Sequence, residues 1–130
     1  MTSVLLLENI HDTAVARFSE AKLEVERRAG ALAGKDLTSA LQAHNLVGIR
    51  SATHLGREEI DAARHLLAIG CFCIGTSQVD LNAAANAGIP VFNAPFSNTR
   101  SVAELVIAEA ILLLRRVPEK SALAHAGTWA

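Results

Sequence analysis

A chain of 130 residues, 51% hydrophobic and 19% charged, with a mean hydropathy of +0.29, has the length and apolar content for one buried core and is not a disordered polypeptide. Twelve Lys and Arg against thirteen Asp and Glu leave a formal charge of -1 and a pI near 6.5, so nothing draws the molecule as a whole to nucleic acid or to an anionic membrane. Any anion site is therefore local.

Short apolar runs alternate with Ala-, Leu- and charge-rich stretches of helical period, the pattern of βα units in a parallel sheet. Residues 4–7 form the first expected strand. They have no basic region before them and are closed by Glu8, so they do not read as a signal peptide. Residues 11–20 follow as a helix with Asp12 near its start, and residues 23–26 as a short strand. Gly30 and Gly34 open a loop into a helix over 35–43, after which Leu46–Ile49 is the third strand. Gly56 introduces a helix over 58–65, and residues 66–69 form an apolar strand ending at Gly70. Asp80 suits the N-cap of a helix over 81–86, Gly88 suits its C-terminal end, and residues 89–92 make the fifth strand.

A long helix is expected from Thr99 or Arg100 to Arg116, stopped by Pro118, with a tail from Glu119 that is helical for a turn or two. Its apolar positions Val102, Leu105, Val106, Ile107, Ala110, Ile111 and Leu114 run nearly all round, so it is expected to pack also against a second domain or subunit. No repeat or linker divides the chain, and its end at Ala130 reads as a cut across a larger architecture. No apolar stretch reaches the roughly 18 residues of a bilayer span, so a soluble, cytoplasmic protein is expected. Cys71 and Cys73, one residue apart in an extended segment, face opposite ways and do not bridge, which fits a reducing compartment.

Three segments follow strands at their carboxyl ends, where ligands bind in parallel α/β sheets. Arg50-Ser51 offers a forked guanidinium and a hydroxyl, suited to carboxylate or phosphate, or simply a surface Arg ending its strand. Gly70-Cys71-Phe72-Cys73-Ile74-Gly75-Thr76-Ser77-Gln78 is either an ordinary loop or a turn whose successive N–H groups face a common anion. Asn93-Ala94-Pro95-Phe96-Ser97-Asn98-Thr99-Arg100-Ser101 leads into the long helix, with Asn98 or Thr99 as its cap and an amide available to a substrate oxygen. There is no G-x-G-x-x-G fingerprint, no HExxH and no second Cys pair to complete a zinc site, so no metal is expected. The cysteines read as small buried hydrophobes.

Together, Ile49-Arg50-Ser51-Ala52-Thr53, the run from Ile69 through Ile74-Gly75-Thr76-Ser77-Gln78-Val79-Asp80 to Leu81, and the run from Gly88 through Asn93-Ala94-Pro95-Phe96-Ser97-Asn98-Thr99-Arg100 to Leu105 strongly resemble the bacterial-type D-3-phosphoglycerate dehydrogenases of the D-2-hydroxyacid dehydrogenase family. The resemblance covers nearly the whole chain and is most specific over residues 70–105. It implies NAD-dependent oxidation of 3-phospho-D-glycerate to 3-phosphohydroxypyruvate, the entry step of serine synthesis. It also implies an α/β fold: a flavodoxin-like parallel sheet with helices on both faces over residues 1–98, a substrate-binding domain. Residues 99–130 become a linker and dimerisation helix at the start of a Rossmann NAD-binding domain. A homodimer or homotetramer through the 101–116 helix follows from the same likeness.

Residue by residue, Arg50 and Ser51 match the substrate-gripping pair, Ile74 and Gly75 match the loop whose N–H groups hold the substrate carboxylate near the nicotinamide, and Asn98 matches a polar residue lining that cleft. Ile74 and Val102 match cofactor-facing positions, and Trp129 resembles a tryptophan near the interdomain hinge. The chain departs from the family at Ala52, where related bacterial enzymes can carry a second Arg, at Ala29, where they can carry a Lys, and at Cys71, where animal enzymes carry an Arg. Arg27 or Arg28 is the candidate to replace the lost charge. The family's glycine-rich turn and its catalytic Arg, Glu and His match nothing up to Ala130, so these 130 residues alone are expected to be inactive. The rival reading is a stand-alone flavodoxin-like domain that binds a small anion or mediates oligomerisation without turnover.

Overall fold

Alternation along Val4-Leu5-Leu6-Leu7 decides how the sheet is covered, because successive side chains of a strand leave opposite faces. In the computed structural model, which describes residues 2–129, Leu5 and Leu7 enter one core with Leu37, Leu41, Ile49, Ile60, Ile69 and Ala83. Val4 and Leu6 enter a second core on the other face, with Ile10, Ala14, Val15 and Phe18.

The strands are β1 (Ser3–Leu6), β2 (Glu24–Arg27), β3 (Leu46–Ile49), β4 (Ala68–Cys71) and β5 (Val91–Asn93). All pair in parallel, in the order β2-β1-β3-β4-β5, the flavodoxin-like doubly wound arrangement. Helix α1 (Asp12–Glu20) supplies Ala14, Val15 and Phe18 to the smaller core. Helices α2 (Gly34–Ala43), α3 (Arg57–Ala62) and α4 (Leu81–Asn86) supply Leu37, Leu41, Ile60, Ala83 and Ala84 to the larger one. Two further helices follow, α5 (Thr99–Leu114) and α6 (Val117–His125). The chain divides into two compact units, Met1–Pro95 and Phe96–Ala130.

The structure departs from expectation by more than a residue along three stretches. One is β5, which spans Val91–Asn93 rather than residues 89–92 because the Ile89 N–H is taken by the Ala84 carbonyl at 2.9 Å and Pro90 has none. Helix α3 stops at Ala62 rather than running to His65, because the chain turns at Ala63, whose N–H reaches the Ile60 carbonyl at 3.1 Å, and buries Ala63 and Leu66 beneath the sheet. Leu66 closes that turn through its N–H to the Ala63 carbonyl at 3.0 Å, Leu67 donates to the Asn45 carbonyl at 2.6 Å, and β4 begins two residues later than expected. Gly70 lies inside the strand, opposite Gly48 on β3 and Phe92 on β5, and does not end it. The long helix ends at Leu114, two residues early. Its stop is Arg116 in the left-handed conformation (φ 55°), while Pro118 sits in the first turn of α6, where a missing N–H costs nothing. Helix α6 accordingly begins at Val117, two residues before Glu119, and from Glu119 it runs to His125, about the turn or two expected.

Helix α4 alone among the helices falls where the sequence places it, residue for residue. Asp80 caps α4 by accepting the Ala83 N–H at 2.9 Å, and Gly88 follows its end at φ +70°. Asp80→Ala is expected to destabilise the first unit by about 1 kcal/mol, read as a lower urea midpoint with an unchanged slope.

On the α1 face the first unit leaves an apolar groove of about 350 Å³ over β3, β4 and β5, lined by Gly48, Gly70, Phe72 and Phe92 among others. In the second unit no residue of α5 is buried, and Leu105, Val106, Ile107, Ile111 and Leu113 are all more than half exposed. Among the described residues no helix is long and apolar enough to cross a membrane.

Candidate anion-binding site

Strand order reverses between β1 and β3, so the crevice outside their carboxyl ends is the topological switch point of the sheet. What occupies that crevice is Glu8. Glu8 and Asn9 are both left-handed (φ 59° and 53°), a conformation that non-glycine residues adopt rarely, and it ends β1 sharply. The Glu8 carboxylate then reaches across to the segment after β3. Its Oε1 accepts the N–H groups of Arg50 at 3.0 Å and Thr53 at 2.9 Å, and its Oε2 accepts that of Ala52 at 2.9 Å. The Thr53 hydroxyl, fully buried, has no partner of hydrogen-bond geometry among the described residues, whereas the Thr53 backbone N–H is held by Glu8. Burial pushes the Glu8 carboxyl up, but the Ala52 N–H, the neighbouring Thr53 hydroxyl and the N–H groups of Arg50 and Thr53 together outweigh it and hold the group below the usual carboxylate range.

Held this way, Arg50 and Ser51 stand exposed at the carboxyl edge of the sheet. The Arg50 guanidinium makes no ion pair among the described residues, in contrast to Arg27 and Arg28. Arg27 is engaged by Asp12, and Arg28 by Glu26 at 2.6 Å. Neither is a free cation to replace the charge that Ala52 and Ala29 lack, so Arg50 is the available basic side chain in this segment.

The loop after β4 lies beside it. Its carbonyls are drawn inward one after another: Cys73 O accepts the Ala94 N–H at 3.0 Å, Ile74 O accepts Asn93 Nδ2 at 2.7 Å, and Gly75 O accepts Gln78 Nε2 at 3.3 Å. A trans peptide points its carbonyl and the next N–H in opposite directions. The N–H groups of Ile74, Gly75 and Thr76 are therefore directed away from these anchors, and none has a protein acceptor among the described residues. Successive unpaired N–H groups form an anion-binding concavity. A Cβ added at Gly75 would meet nothing within 4 Å, so the space beside the loop is open.

The expected residues fall into two sets. Arg50, Ser51, Ile74 and Gly75 share the carboxyl edge of the first unit, on neighbouring strands. Asn98 and Val102 belong to the second unit. Asn98 holds the N-cap position of α5 but makes no side-chain capping bond, against the expectation that it or Thr99 caps the helix; its backbone turn (φ -129°, ψ 13°) leaves the amide free. Trp129 is 90% exposed. Burial pushes the Cys71 thiol up to about 11, with Cys73 adding to the effect, so Cys71 is no thiolate at neutral pH. No group of three His, Cys, Asp or Glu among the described residues is arranged to hold a metal ion. Sequence reasoning missed Glu8, Gln78 and Asn93, the three side chains that orient the loops.

Residues 4–127 match the family model described as D-isomer specific 2-hydroxyacid dehydrogenase, catalytic domain. The chain belongs to the D-isomer specific 2-hydroxyacid dehydrogenase family. Among curated proteins it is 56% identical over 126 residues to D-3-phosphoglycerate dehydrogenase of Escherichia coli, covering 96% of this chain and 31% of that protein. It is 48% identical to D-3-phosphoglycerate dehydrogenase 1 of Saccharomyces cerevisiae, covering 97% of this chain and 27% of the yeast protein. The chain thus spans about a third or less of the curated relatives it matches. Among solved structures, the TT0316 protein of Thermus thermophilus superposes with a TM-score of 0.84 at 31% identity, over 99% of this chain and 42% of that one. D-lactate dehydrogenase of Aquifex aeolicus, solved with NAD and lactic acid, shares the fold at a TM-score of 0.83 and 21% identity, over 98% and 38%.

Proposed function

We propose that this chain is the substrate-binding portion of an NAD-dependent 3-phosphoglycerate dehydrogenase, acting between 3-phospho-D-glycerate and 3-phosphohydroxypyruvate at the first step of serine biosynthesis. The observation that carries the reading is the pairing of an unneutralised Arg50 guanidinium with the unpaired N–H groups of Ile74 and Gly75 on adjacent loops. A phospho-hydroxy acid is a small molecule with two anionic ends, and these two features suit its two ends. The planar guanidinium donates in pairs to an anion, and the peptide N–H groups hold a carboxylate without competing for its proton. Ser51 adds a hydroxyl beside Arg50. The roles of Asn98 at the substrate and of Val102 at the cofactor rest on the family resemblance alone.

This sequence has no glycine-rich strand-to-helix turn to take the pyrophosphate of a dinucleotide. NAD and the acid–base chemistry are assigned to the remainder of the enzyme, and residues 1–130 by themselves are proposed to bind without turnover. The apolar circumference of α5 suits a homodimer or homotetramer formed through residues 101–116. A cytoplasmic enzyme accords with two free cysteines.

The test is NADH oxidation by the complete polypeptide with phosphohydroxypyruvate. Turnover is expected, and Arg50→Ala is expected to raise the KM for phosphohydroxypyruvate roughly 30-fold, about 2 kcal/mol for a charge-assisted contact, with little change in KM for NADH. An unchanged substrate KM removes Arg50 from the site. No oxidation by the wild type leaves the anion-binding module without catalysis as the better reading.

A further inference from the structure

The Arg50 segment and the 74–75 loop are neighbouring anion-binding features on separate strands, and one buried side chain joins them. Gln78 is 6% exposed, and its Nε2 lies 2.7 Å from the Arg50 carbonyl and 3.3 Å from the Gly75 carbonyl. Both partners are carbonyl oxygens, which only accept, so the atom facing them must be the amide nitrogen, and its two hydrogens match its two acceptors. The Cys73 sulfur at 3.2 Å completes the contact and itself donates to the Gly75 carbonyl at 3.3 Å.

The base from which this amide reaches is rigid. The Gln78 carbonyl accepts the Leu55 N–H at 2.8 Å, and the next residue, Val79, forms a parallel bridge with Leu55, both buried. Glu8 grips the other side of Arg50 through its N–H. The Arg50 backbone is thus clamped at both polar groups, by a carboxylate on the N–H and by an amide on the carbonyl. Through that second clamp its position is tied to that of Gly75.

We propose that Gln78 is a positioning residue that fixes the spacing between the Arg50 guanidinium and the Ile74–Gly75 N–H groups, and thereby selects substrates by the distance between their two anionic ends. This rests on the proposed substrate-binding function of the site. Gln78 touches no substrate; it acts through the two carbonyls it holds. A side chain of similar size without donors leaves both carbonyls unpaired and frees the two loops to separate. A carboxylate there adds repulsion against two oxygens, which protonation relieves by restoring one O–H donor.

The experiment compares Gln78→Leu and Gln78→Glu with wild type in the complete polypeptide. KM for phosphohydroxypyruvate is expected to rise roughly tenfold in Gln78→Leu, with KM for NADH unchanged and the preference over a 2-oxo acid lacking the phosphate diminished. In Gln78→Glu the rise, taken relative to wild type at each pH, shrinks between pH 8 and pH 6, whereas in Gln78→Leu it is flat. An unchanged substrate KM in a variant of normal melting temperature overturns the proposal. So does a parallel rise in KM for NADH, or a pH-independent ratio in Gln78→Glu, either of which marks Gln78 as structural only. Hydrogen exchange decides the coupling apart from turnover: in Gln78→Leu the segments 50–53 and 73–78 exchange faster together. If wild type oxidises no NADH, the function reading fails while joint acceleration still supports the clamp; acceleration in only one segment, or in neither, overturns it.

Discussion

Gly48→Val is expected to destabilise the first unit by about 3 kcal/mol and to disturb the loop after β4 as well. Gly48 lies on the central strand β3, paired with Leu6 on β1 and Gly70 on β4. A Cβ there would come within 2.6 Å of Leu6 Cδ2, 2.8 Å of Phe72 Cε2 and 3.2 Å of Ile10 Cδ1. Leu6 and Ile10 are buried in a packed core and have little room to give, while Phe72, 39% exposed, swings out instead. Phe72 follows β4 directly, with its N–H on the Ile49 carbonyl at 2.8 Å, and Cys73-Ile74-Gly75 comes next. Moving the ring therefore strains the N–H groups proposed to hold the carboxylate. Urea denaturation should show the lower midpoint, and substrate KM should rise alongside it. Gly48→Val with wild-type stability overturns the close approach on which both effects depend.

How much of this was legible depended on whether the deciding contact was local. Helix α4 could be placed to the residue because its cap, Asp80, and its terminating Gly88 are its near neighbours in sequence. The shift of β4 could not, since Leu66-Leu67 reads as strand until the burial of Ala63 and Leu66 in a turn is known. Gly48 and Gly70 carry no sequence signal that a Phe72 ring lies over them. Arg50 and Ser51 were singled out because they end a strand and carry donors, but the residues that orient them act over distance. Glu8 holds residues 42 to 45 positions away, and Gln78 holds one 28 positions away. The one available hint was an acidic residue directly after the first strand, at the edge where anions are expected to bind. Asn98 shows the opposite error: the sequence has a good capping residue in the capping position, and the side chain does not cap.

Glu8→Gln carries the second large effect, expected at about 2 to 3 kcal/mol of stability at pH 7. A carboxylate accepts all three N–H groups of Arg50, Ala52 and Thr53, whereas a Gln amide must turn its own NH₂ toward at least one of them. Because the folded-state pKa of Glu8 is lowered, its contribution is fully present above the unfolded value near 4.5 and disappears as pH falls through the lower folded value. The gap between wild type and Glu8→Gln should therefore be wide at pH 7 and close on acidification below that range, measured by urea unfolding at each pH. A gap of equal size at pH 7 and in strong acid contradicts the carboxylate's role. The same substitution loosens the clamp on the Arg50 N–H while leaving Gln78 on its carbonyl, so substrate KM should rise as well. Glu8→Gln combined with Gln78→Leu should cost less in log KM than the two single changes summed, since either alone already frees Arg50 from its two-sided hold.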